Sequence, residues 1–402
     1  MKYGIREFQS QRLQQLRMSF AMTQEELAKA LQCSKGNISK WEQGKSSPES
    51  ESFRKICSIF EVPETWLLEA PVASSLIQPS FFRAQNITPK VSRDIARVRL
   101  DWVEEISYKL QESLDFPEIN LPDFSGDFKS LEDYEIEDMA SKCRNLWKLG
   151  QSPVSDMINV MESNGVVIAK GWLGFSKMDG VSRWSQFDHR PYVFLRRDKA
   201  NGFRTRFDSA HEMGHIVLHK YVTDVDYKKH YHLLESQAHR FASALLLPAA
   251  SFSRDIKWPT LESFLALKGK WKVSVAAMIH RCQDLEIISR EAASKLWKAR
   301  SARGWVKREP NDDFLSLEEP KLLSRSINML IENNVLSKSM LRDIIGIPTK
   351  IIEDLCNLPE NYFNEDRKDK VIELHLKSKT PRNQNLNSYS GNKNNVLLFT
   401  KK

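Results

Sequence analysis

The pattern of polar and apolar residues near the start of the chain predicts two short helices joined by a tight turn. Thr23 stands three residues before Glu26 and ahead of an apolar run, which is the capping-box arrangement that begins a helix, here expected over residues 24–31. Ser34 can cap a second helix over residues 35–42, and the glycine two residues later can adopt the left-handed backbone that ends a helix. The pair indicates a helix-turn-helix module.

Two flanking helices supply an apolar core for this pair. Leu13 and Leu16 face inward in the helix expected over residues 11–19. The helix that follows the pair places apolar side chains at the i, i+3, i+4 and i+7 positions of one face: Phe53, Ile56, Cys57 and Phe60.

The remainder of the chain is mainly helical, with a minority of strand-like runs. Helical periodicity covers residues 93–114, 206–220, 234–247 and parts of 322–363. Short apolar runs typical of strands cover residues 165–170 and 191–197. The expected fold class is therefore mainly α (α+β).

Composition and charge narrow the class of protein. The 402 residues are 41% hydrophobic, which is enough for more than one core, and the five cysteines are widely spaced without a C-x-x-C pair, which argues against a disulfide framework or a thiolate metal site. Residues 374–402 carry a charge of +6 and residues 111–138 carry −9. Because the charge is distributed so unevenly, the net charge of +8 does not by itself indicate what kind of partner the protein binds. With neither a signal-like start nor a membrane span predicted, we expect a cytoplasmic protein.

One segment has the residue pattern of a catalytic metal site. In the string H-E-x-x-H, His211 and His215 stand one helical turn apart, where both imidazoles can reach one ion. Glu212 lies beside them and can take a proton from water activated by that ion. Glu235, at the beginning of the next predicted helix, is favoured as third ligand, which leaves one coordination position open, and His239 is the competing ligand.

The remaining histidines of this region are less suited to be metal ligands. His219 is expected to support the site or to pack, and His230 and His232 lie in a loop rich in Lys and Tyr where solvation is expected. Tyr231 or one of the loop histidines could stabilise an oxyanion.

The N-terminal motifs are similar to those of a known family. Within residues 9–68, the strings M-T-Q-E-E-L-A-x-x-L and S-x-x-x-I-S-K-W-E-x-G-K-x-x-P resemble the XRE family of phage-repressor-type DNA-binding domains. The resemblance implies a five-helix domain whose second helix of the pair enters the major groove of an operator, bound as a homodimer on paired half-sites. It implies a phosphate contact from Gln24 and base or phosphate contacts from Lys35, Gly36, Asn37, Ser39 and Lys40. Asn37 can read adenine.

Charge limits how this domain attracts DNA. Residues 9–68 contain eight basic and seven acidic groups, a net of only +1. Attraction to phosphate must therefore come from a local patch formed by Lys35, Lys40 and Lys45.

The metal motif belongs to a longer pattern. The strings R-x-R-F-x-x-A-H-E-x-G-H-x-x-L-H and E-x-x-A-x-x-F-A-x-x-L-L-x-P resemble the ImmA/IrrE family of metallopeptidases, and L-W-x-L-G-x-x-P-V, the segment Asp179 to Ser182, W-K-V-S-V-A-A-M-I-H-R and G-W-V-K-R-E-P extend the likeness over residues 135–310. The resemblance implies a zincin-like domain with a small sheet, Zn²⁺ as cofactor, and cleavage of a partner transcription factor after a signal.

Two functions follow from the combined motifs. The first is a DNA-binding regulator with a zinc metalloendopeptidase domain that cleaves itself or a partner. The second is a repressor or antitoxin whose zinc domain senses or binds a protein partner, such as a toxin, without catalysis. Retention of Glu212 favours the first, because a structural metal site needs no base.

The motifs divide the chain into four predicted parts. They are a DNA-binding domain over residues 1–70, a linker and helical connector over 71–134, the peptidase-like domain over 135–310, and helices with a basic, disordered tail over 311–402. The helical part of the last region, residues 322–363, could serve dimerisation or cover the site. For the basic tail, a solvated terminus is favoured over added non-specific affinity for DNA. No membrane partner is expected, and the protein is expected at the nucleoid when bound to DNA.

Overall fold

The N-terminal segment is a bundle of short helices, as the sequence predicts. The computed structural model describes residues 4–72, 81–82, 90–172, 179–197 and 201–364. Within the first of these ranges lie α1 (Ser10–Ser19), α2 (Gln24–Ala30), α3 (Lys35–Glu42), α4 (Ser50–Phe60) and α5 (Glu64–Leu68). The capping box forms as predicted, because the Thr23 side chain accepts from the Glu26 backbone N–H and the Glu26 carboxylate accepts from that of Thr23. Gly44 follows α3 with a φ of +66°.

A small sheet follows the bundle. Its strands are β1 (Phe81–Phe82), β2 (Val167–Gly171), β3 (Gly180–Trp184) and β4 (Pro191–Arg196), in the order β1-β3-β4-β2. β2 runs parallel to β4, whereas β3 runs antiparallel to both β4 and β1. The predicted strands correspond to β2 and β4. β1 was not expected in the linker, because two residues are too few to show alternating polarity.

Helices account for most of the remaining structure. α6 (Lys90–Gln111) precedes the predicted acidic loop, in which a single 3-10 turn, Phe128–Ser130, occurs. Nine helices follow it in the described residues up to 302: α7 (Asp133–Leu146), α8 (Met157–Ser163), α9 (Gly202–Leu218), α10 (Asp224–Lys229), α11 (Tyr231–Leu246), α12 (Ala249–Asp255), α13 (Leu261–Trp271), α14 (Val275–Asp284) and α15 (Arg290–Ala302). After the 3-10 turn Asp312–Phe314 come α16 (Leu322–Glu332), α17 (Lys338–Ile345) and α18 (Thr349–Leu355).

The sheet separates two apolar cores. Successive strand residues point to opposite faces, so Val181 and Phe194 join one core and Val193 and Leu195 the other. The first core contains side chains of α1 to α6 and of α16 to α18. The second contains side chains of α7 to α9 and α11 to α15. The N-terminal bundle thus shares its core with the back of the sheet.

Buried ion pairs tie α6 to both of its neighbours. Arg12 of α1 donates to the two carboxylate oxygens of Glu105 at 2.6 and 2.7 Å, and neither side chain is more than 1% exposed. Arg183 of β3 pairs with Asp101 at 2.5 Å and also with Glu104. A buried charge that loses its partner is costly, so α6 connects the bundle firmly to the sheet. Contacts join the chain as far as Phe363 in one compact unit.

The C-terminal helices pack against the N-terminal bundle. The ring of Trp66 in α5 lies edge-on to Trp102 of α6, with 6.2 Å between centroids. Gly346, directly after α17, packs on Trp66 so closely that a Cβ atom would lie 2.6 Å from the Trp66 ring, and its φ is +71°. Glycine satisfies both demands. The structure therefore places α16 to α18 in the core beside α5 and α6.

Some of the predicted regions fall on residues that the structure does not describe. Of the linker over residues 71–89, only Pro71, Val72 and β1 are described, and the basic tail lies entirely outside the described residues. The fourfold division into residues 1–70, 71–134, 135–310 and 311–402 stays a prediction. No helix in the described ranges is both long and apolar enough to cross a membrane.

Candidate metal centre and DNA-binding surface

His211, His215 and Glu235 meet in the interior of the protein. The two Nε2 atoms of His211 and His215, one turn apart on α9, lie 3.2 Å from each other. Glu235 of α11 places Oε2 3.3 Å from His211 Nε2 and Oε1 3.3 Å from His215 Nε2. Among the described residues these three form a group of ligand-type atoms within 4.8 Å of one another, and His239 is not a member of it. The structure brings together the three predicted ligands, and their role in binding a metal stays a prediction.

The spacing of these three atoms suits a tetrahedral zinc ion. Zinc binds imidazole nitrogen and carboxylate oxygen at about 2.0–2.1 Å, which in a tetrahedron separates neighbouring ligand atoms by about 3.3–3.4 Å. The observed separations of 3.2, 3.3 and 3.3 Å approach this value. The residues present therefore fit the ion and leave the fourth corner for water or a substrate.

A close contact between two helices places Glu235 within reach. Gly214, inside the H-E-x-x-H motif, faces Ala238 of α11, and a Cβ atom at Gly214 would lie 2.9 Å from the Cα atom of Ala238. Ala238, Phe241 and Ala242 are fully buried along the same helix. The small residues at this crossing let α9 and α11 approach closely, which carries the carboxylate to the histidines.

A chain of hydrogen bonds fixes the ring of His215. Gln237 donates from Nε2 to the carbonyl of Phe128 at 2.7 Å, which turns its Oε1 towards His219 Nε2, 3.0 Å away. His219 Nε2 must then carry the hydrogen, and His219 Nδ1 accepts from His215 Nδ1 at 3.0 Å. This assignment starts from a carbonyl that can only accept, and with a zinc ion bound it would turn the His215 Nε2 lone pair to the ion.

Burial and the close packing of these groups shift two pKa values of the centre. Burial and the neighbouring His215 hold the pKa of His219 well below its usual range, so the ring is neutral and can accept a hydrogen bond. Burial works to raise the pKa of Glu235, but interactions with His211 and His215 outweigh it and hold the pKa well below its usual range. Glu235 is therefore a carboxylate.

Glu212, the predicted base, lies beneath strand β3. Its side chain is fully buried, and its Oε2 accepts a hydrogen bond of 2.6 Å from the hydroxyl of Ser182. Gly180, two residues earlier on the same strand face, leaves room for the other oxygen, because a Cβ atom there would lie 2.9 Å from Glu212 Oε1. Gly180 and Ser182 therefore form a cradle that sets the orientation of the carboxylate.

One cavity adjoins the centre, and a second cavity adjoins the first. The first, of about 500 Å³, is lined by His211, Glu235 and Arg240 among others. The second, of about 320 Å³, is lined by Asp208 and Arg204 among others. His239 and His280 border both, and the ring of His239 lies between Phe207 and His280, at centroid distances of 4.9 and 5.4 Å. His239 thus lines the space beside the metal group.

His230 lies at the junction of α10 and α11, and Tyr231 and His232 begin α11, so the loop expected here is largely helical. His230 packs its ring against Phe128 and His232 is exposed. The ring of Tyr231 lies between Tyr227 and His232. Stabilisation of an oxyanion by Tyr231 or a loop histidine stays a prediction.

The predicted DNA-binding residues share one surface. Lys35, Gly36, Asn37 and Lys40 are exposed on α3, and Ser39 is half-buried beside them. Ile38 and Trp41 of the same helix are buried, so the helix presents its polar face outward. The residue contacts with DNA stay predictions.

Gln24 has a side-chain partner within the bundle. Its Nε2 donates to Glu42 Oε2 at 2.8 Å, and Glu42 also accepts from Arg17 at 2.5 and 3.0 Å. The phosphate contact of Gln24 stays a prediction.

Three residues of the centre are not identified by the sequence pattern. Ser182 belongs to the segment from Asp179 to Ser182 that resembles the family, but the resemblance gives it no role, and no motif marks Gln237 or Phe128. Gln237 had a local signal, since it lies two residues after Glu235 on the predicted helix. Phe128 sits in the acidic loop, where no motif links it to α11.

Two segments of the chain match known family models. The family model described as the IrrE N-terminal-like domain matches residues 162–283, and the model described as a helix-turn-helix domain matches residues 10–71. The HTH-type transcriptional activator BcrR of Enterococcus faecalis is 47% identical over 53 residues, which is 13% of this chain and 26% of the activator. The chain thus spans about a quarter of that curated relative.

The fold and the matches define a chain that carries a helix-turn-helix domain and an IrrE-like domain. The chain joins an XRE-type helix-turn-helix domain to a domain of the IrrE/ImmA family, a combination consistent with a transcriptional regulator.

Proposed function

We propose that this protein is a DNA-binding transcriptional regulator whose second domain is a zinc-dependent endopeptidase that cleaves itself or a partner regulator after a signal. The observation that carries the proposal is the group of His211, His215 and Glu235, spaced for a tetrahedral ion, with Glu212 next to it on α9. A site that only stabilised the fold would need no such neighbouring carboxylate.

The chain's own residues account for the parts of peptide hydrolysis. His211, His215 and Glu235 would hold the zinc ion, which when bound activates water and polarises a peptide carbonyl. Glu212 takes the proton of the attacking water and passes it to the leaving amine. Ser182 keeps the Glu212 carboxylate oriented through its 2.6 Å hydrogen bond, and His219 and Gln237 keep the ring of His215 in place.

The cavity beside the centre supports a polypeptide substrate. Its volume of about 500 Å³ exceeds what a single side chain needs, and a second cavity lies beyond the shared pair His239 and His280. We infer that a peptide lies beside the centre in the first cavity and continues past His239 and His280 into the second.

DNA binding would use α3. Its exposed polar face is that of a recognition helix, and Lys35, Lys40 and Lys45 are exposed basic groups for the phosphate backbone. We propose that a homodimer binds paired half-sites of an operator, because the near-neutral domain supplies little affinity from one copy.

A second function is favoured by the shared core. The N-terminal bundle and the sheet are joined through buried pairs of α6 with Arg12 and Arg183, so a ligand or partner at the metal domain would act on a firmly connected DNA-binding domain. In this alternative the protein is a repressor or antitoxin whose zinc domain binds a partner without cleaving it.

Metal analysis and cleavage of the full chain separate these functions. We expect one zinc per chain by elemental analysis, and fragments of the protein or of a co-expressed candidate partner by mass spectrometry that disappear with a chelator. Glu212→Gln is the matched control, since it keeps the three ligands and the DNA-binding helix. Zinc binding without any Glu212-dependent cleavage would favour the non-catalytic alternative.

A further inference from the structure

The cavity beside the metal group contains a carboxylate that the protein itself does not pair. Asp284, the last residue of α14, is half-buried and lines the cavity of about 500 Å³ that His211 and Glu235 also line. In the described ranges no side chain or backbone N–H forms a hydrogen bond or ion pair with its carboxylate, although its backbone carbonyl accepts from Arg240 Nη2 at 3.3 Å. Asp284 therefore presents its charge to the space next to the predicted zinc ligands.

The two guanidinium groups that act on Asp284 are engaged by other carboxylates. Arg240 Nη1 lies 2.8 Å from Asp133 Oδ2. Arg281, which is fully buried, donates from both Nη atoms to the two oxygens of Glu137 at 2.5 and 2.8 Å. Three carboxylates thus stand against two guanidinium groups in this cluster, and the excess negative charge lies on Asp284.

The neighbouring histidine does not supply the missing positive charge. Partial burial lowers the pKa of His280, one turn before Asp284 on α14, so its ring is neutral at neutral pH. Burial also raises the pKa of Asp284, and the attraction of Arg240 and Arg281 does not outweigh it. An ionised carboxylate that is partly removed from water gains free energy when a cation pairs with it.

Apolar residues complete the wall of the same cavity. Leu131, Ile136 and Leu233 line it together with Asp284. Lys and Arg side chains combine an apolar stem with a charged tip. The stem can pack on the apolar residues while the tip donates to the carboxylate, whereas an acidic side chain would meet the unpaired charge of Asp284 and an arginine that Asp133 already holds.

We propose that Asp284 is a specificity-determining residue that forms, beside the metal group, a subsite for a basic side chain, Lys or Arg, of the bound peptide. The inference rests on the proposed endopeptidase function for the identity of that peptide as substrate. Asp284 lies outside the group of His211, His215 and Glu235, so its contribution is to select the peptide and to position it in the cavity.

Peptide binding tests this without depending on cleavage. Three pools of fluorescein-labelled short peptides are randomised over uncharged residues and carry Arg, Gln or Glu at one fixed central position. Their affinities for the full zinc-loaded chain carrying Glu212→Gln are measured by anisotropy. Asp284→Asn removes the charge at nearly constant size. The matched control is Glu286→Gln, which removes the same charge from an exposed residue two positions further on and outside the cavity wall.

We expect the Arg pool to bind at least about tenfold more tightly than the Gln pool, and the Glu pool to bind most weakly. Asp284→Asn should bring the Arg and Gln pools within about twofold, while Glu286→Gln keeps the preference. Equal binding of the Arg and Gln pools, tighter binding of the Glu pool, no binding of any pool, or a preference that survives Asp284→Asn would each overturn the inference.

The endopeptidase function is judged separately, by cleavage of the same pools in protein that retains Glu212, followed by mass spectrometry. A preference for Arg in binding with no cleavage would uphold the subsite and refute the peptidase. Cleavage without any preference for Arg would leave the peptidase standing and refute the subsite.

Discussion

Replacing Gln237 by leucine should weaken zinc binding although Gln237 is not itself a ligand. The side chain joins His219 to the carbonyl of Phe128 through hydrogen bonds of 3.0 and 2.7 Å, and His219 in turn holds His215. Leucine fills similar space but can neither accept from His219 nor donate to Phe128. His215 then loses the support that fixes its ring and its tautomer.

The size of the effect follows from comparable metal sites. Loss of such outer partners typically lowers metal affinity 10- to 100-fold, which corresponds to about 1.4–2.7 kcal/mol. The exposed neighbour Ser236 is a suitable control, because its hydroxyl donates only within its own helix, to the carbonyl of Leu233 at 2.8 Å. Ser236→Ala should therefore leave zinc affinity within about twofold.

The assay is competition for zinc against a chelating dye, with circular dichroism to establish that each variant is folded. We expect a lower affinity for Gln237→Leu and an unchanged one for Ser236→Ala. A folded Gln237→Leu protein that binds zinc as tightly as the parent would refute the argument that this chain orients His215.

Three other variants test the fold and the proposed DNA-binding surface. Glu105→Gln leaves Arg12 buried without its carboxylate and should destabilise the protein by about 3–5 kcal/mol in chemical denaturation; a loss below 1 kcal/mol would contradict this. Lys35→Ala with Asn37→Ala should weaken operator binding and flatten its sequence preference in footprinting, and an unchanged footprint would remove α3 from the groove. Burial raises the pKa of Glu162 to about 7. The hydrogen bonds that its carboxylate accepts from the backbone of Leu322 and Lys321 work to lower the pKa but are outweighed. Since the folded state then binds the proton more tightly, stability should fall as the pH rises from about 4.5 to 7, and Glu162→Gln should lessen that slope in pH-dependent denaturation.

Local sequence patterns were sufficient to predict the helices that carry both sites. The capping box at Thr23, the cap at Ser34 and the i, i+4 spacing of His211 and His215 each involve residues within one or two turns. Such patterns can be recognised without knowledge of the fold, because neighbouring residues in the chain make the capping hydrogen bonds and set which side chains share a helix face.

Contacts between residues far apart in the sequence could not be predicted from local patterns. β1 is too short to show a pattern, and Phe128 meets Gln237 across 109 residues of chain. Ser182 reaches Glu212 only because β3 crosses over α9. In each case the partner is chosen by packing in three dimensions.

Local pattern was enough to predict the helix-turn-helix pair and the α-helix that bears the two histidines, and it favoured Glu235 over His239, which the structure then placed in the group. Tertiary structure alone decided that Arg12, Glu105, Asp101 and Arg183 bury their charges around α6 and that the C-terminal helices share a core with the N-terminal bundle. The difference arises because these interactions act over different distances along the chain. Helix caps and periodicity act over a few residues, whereas burial of charge and apolar surface is settled only when segments far apart in the chain pack together.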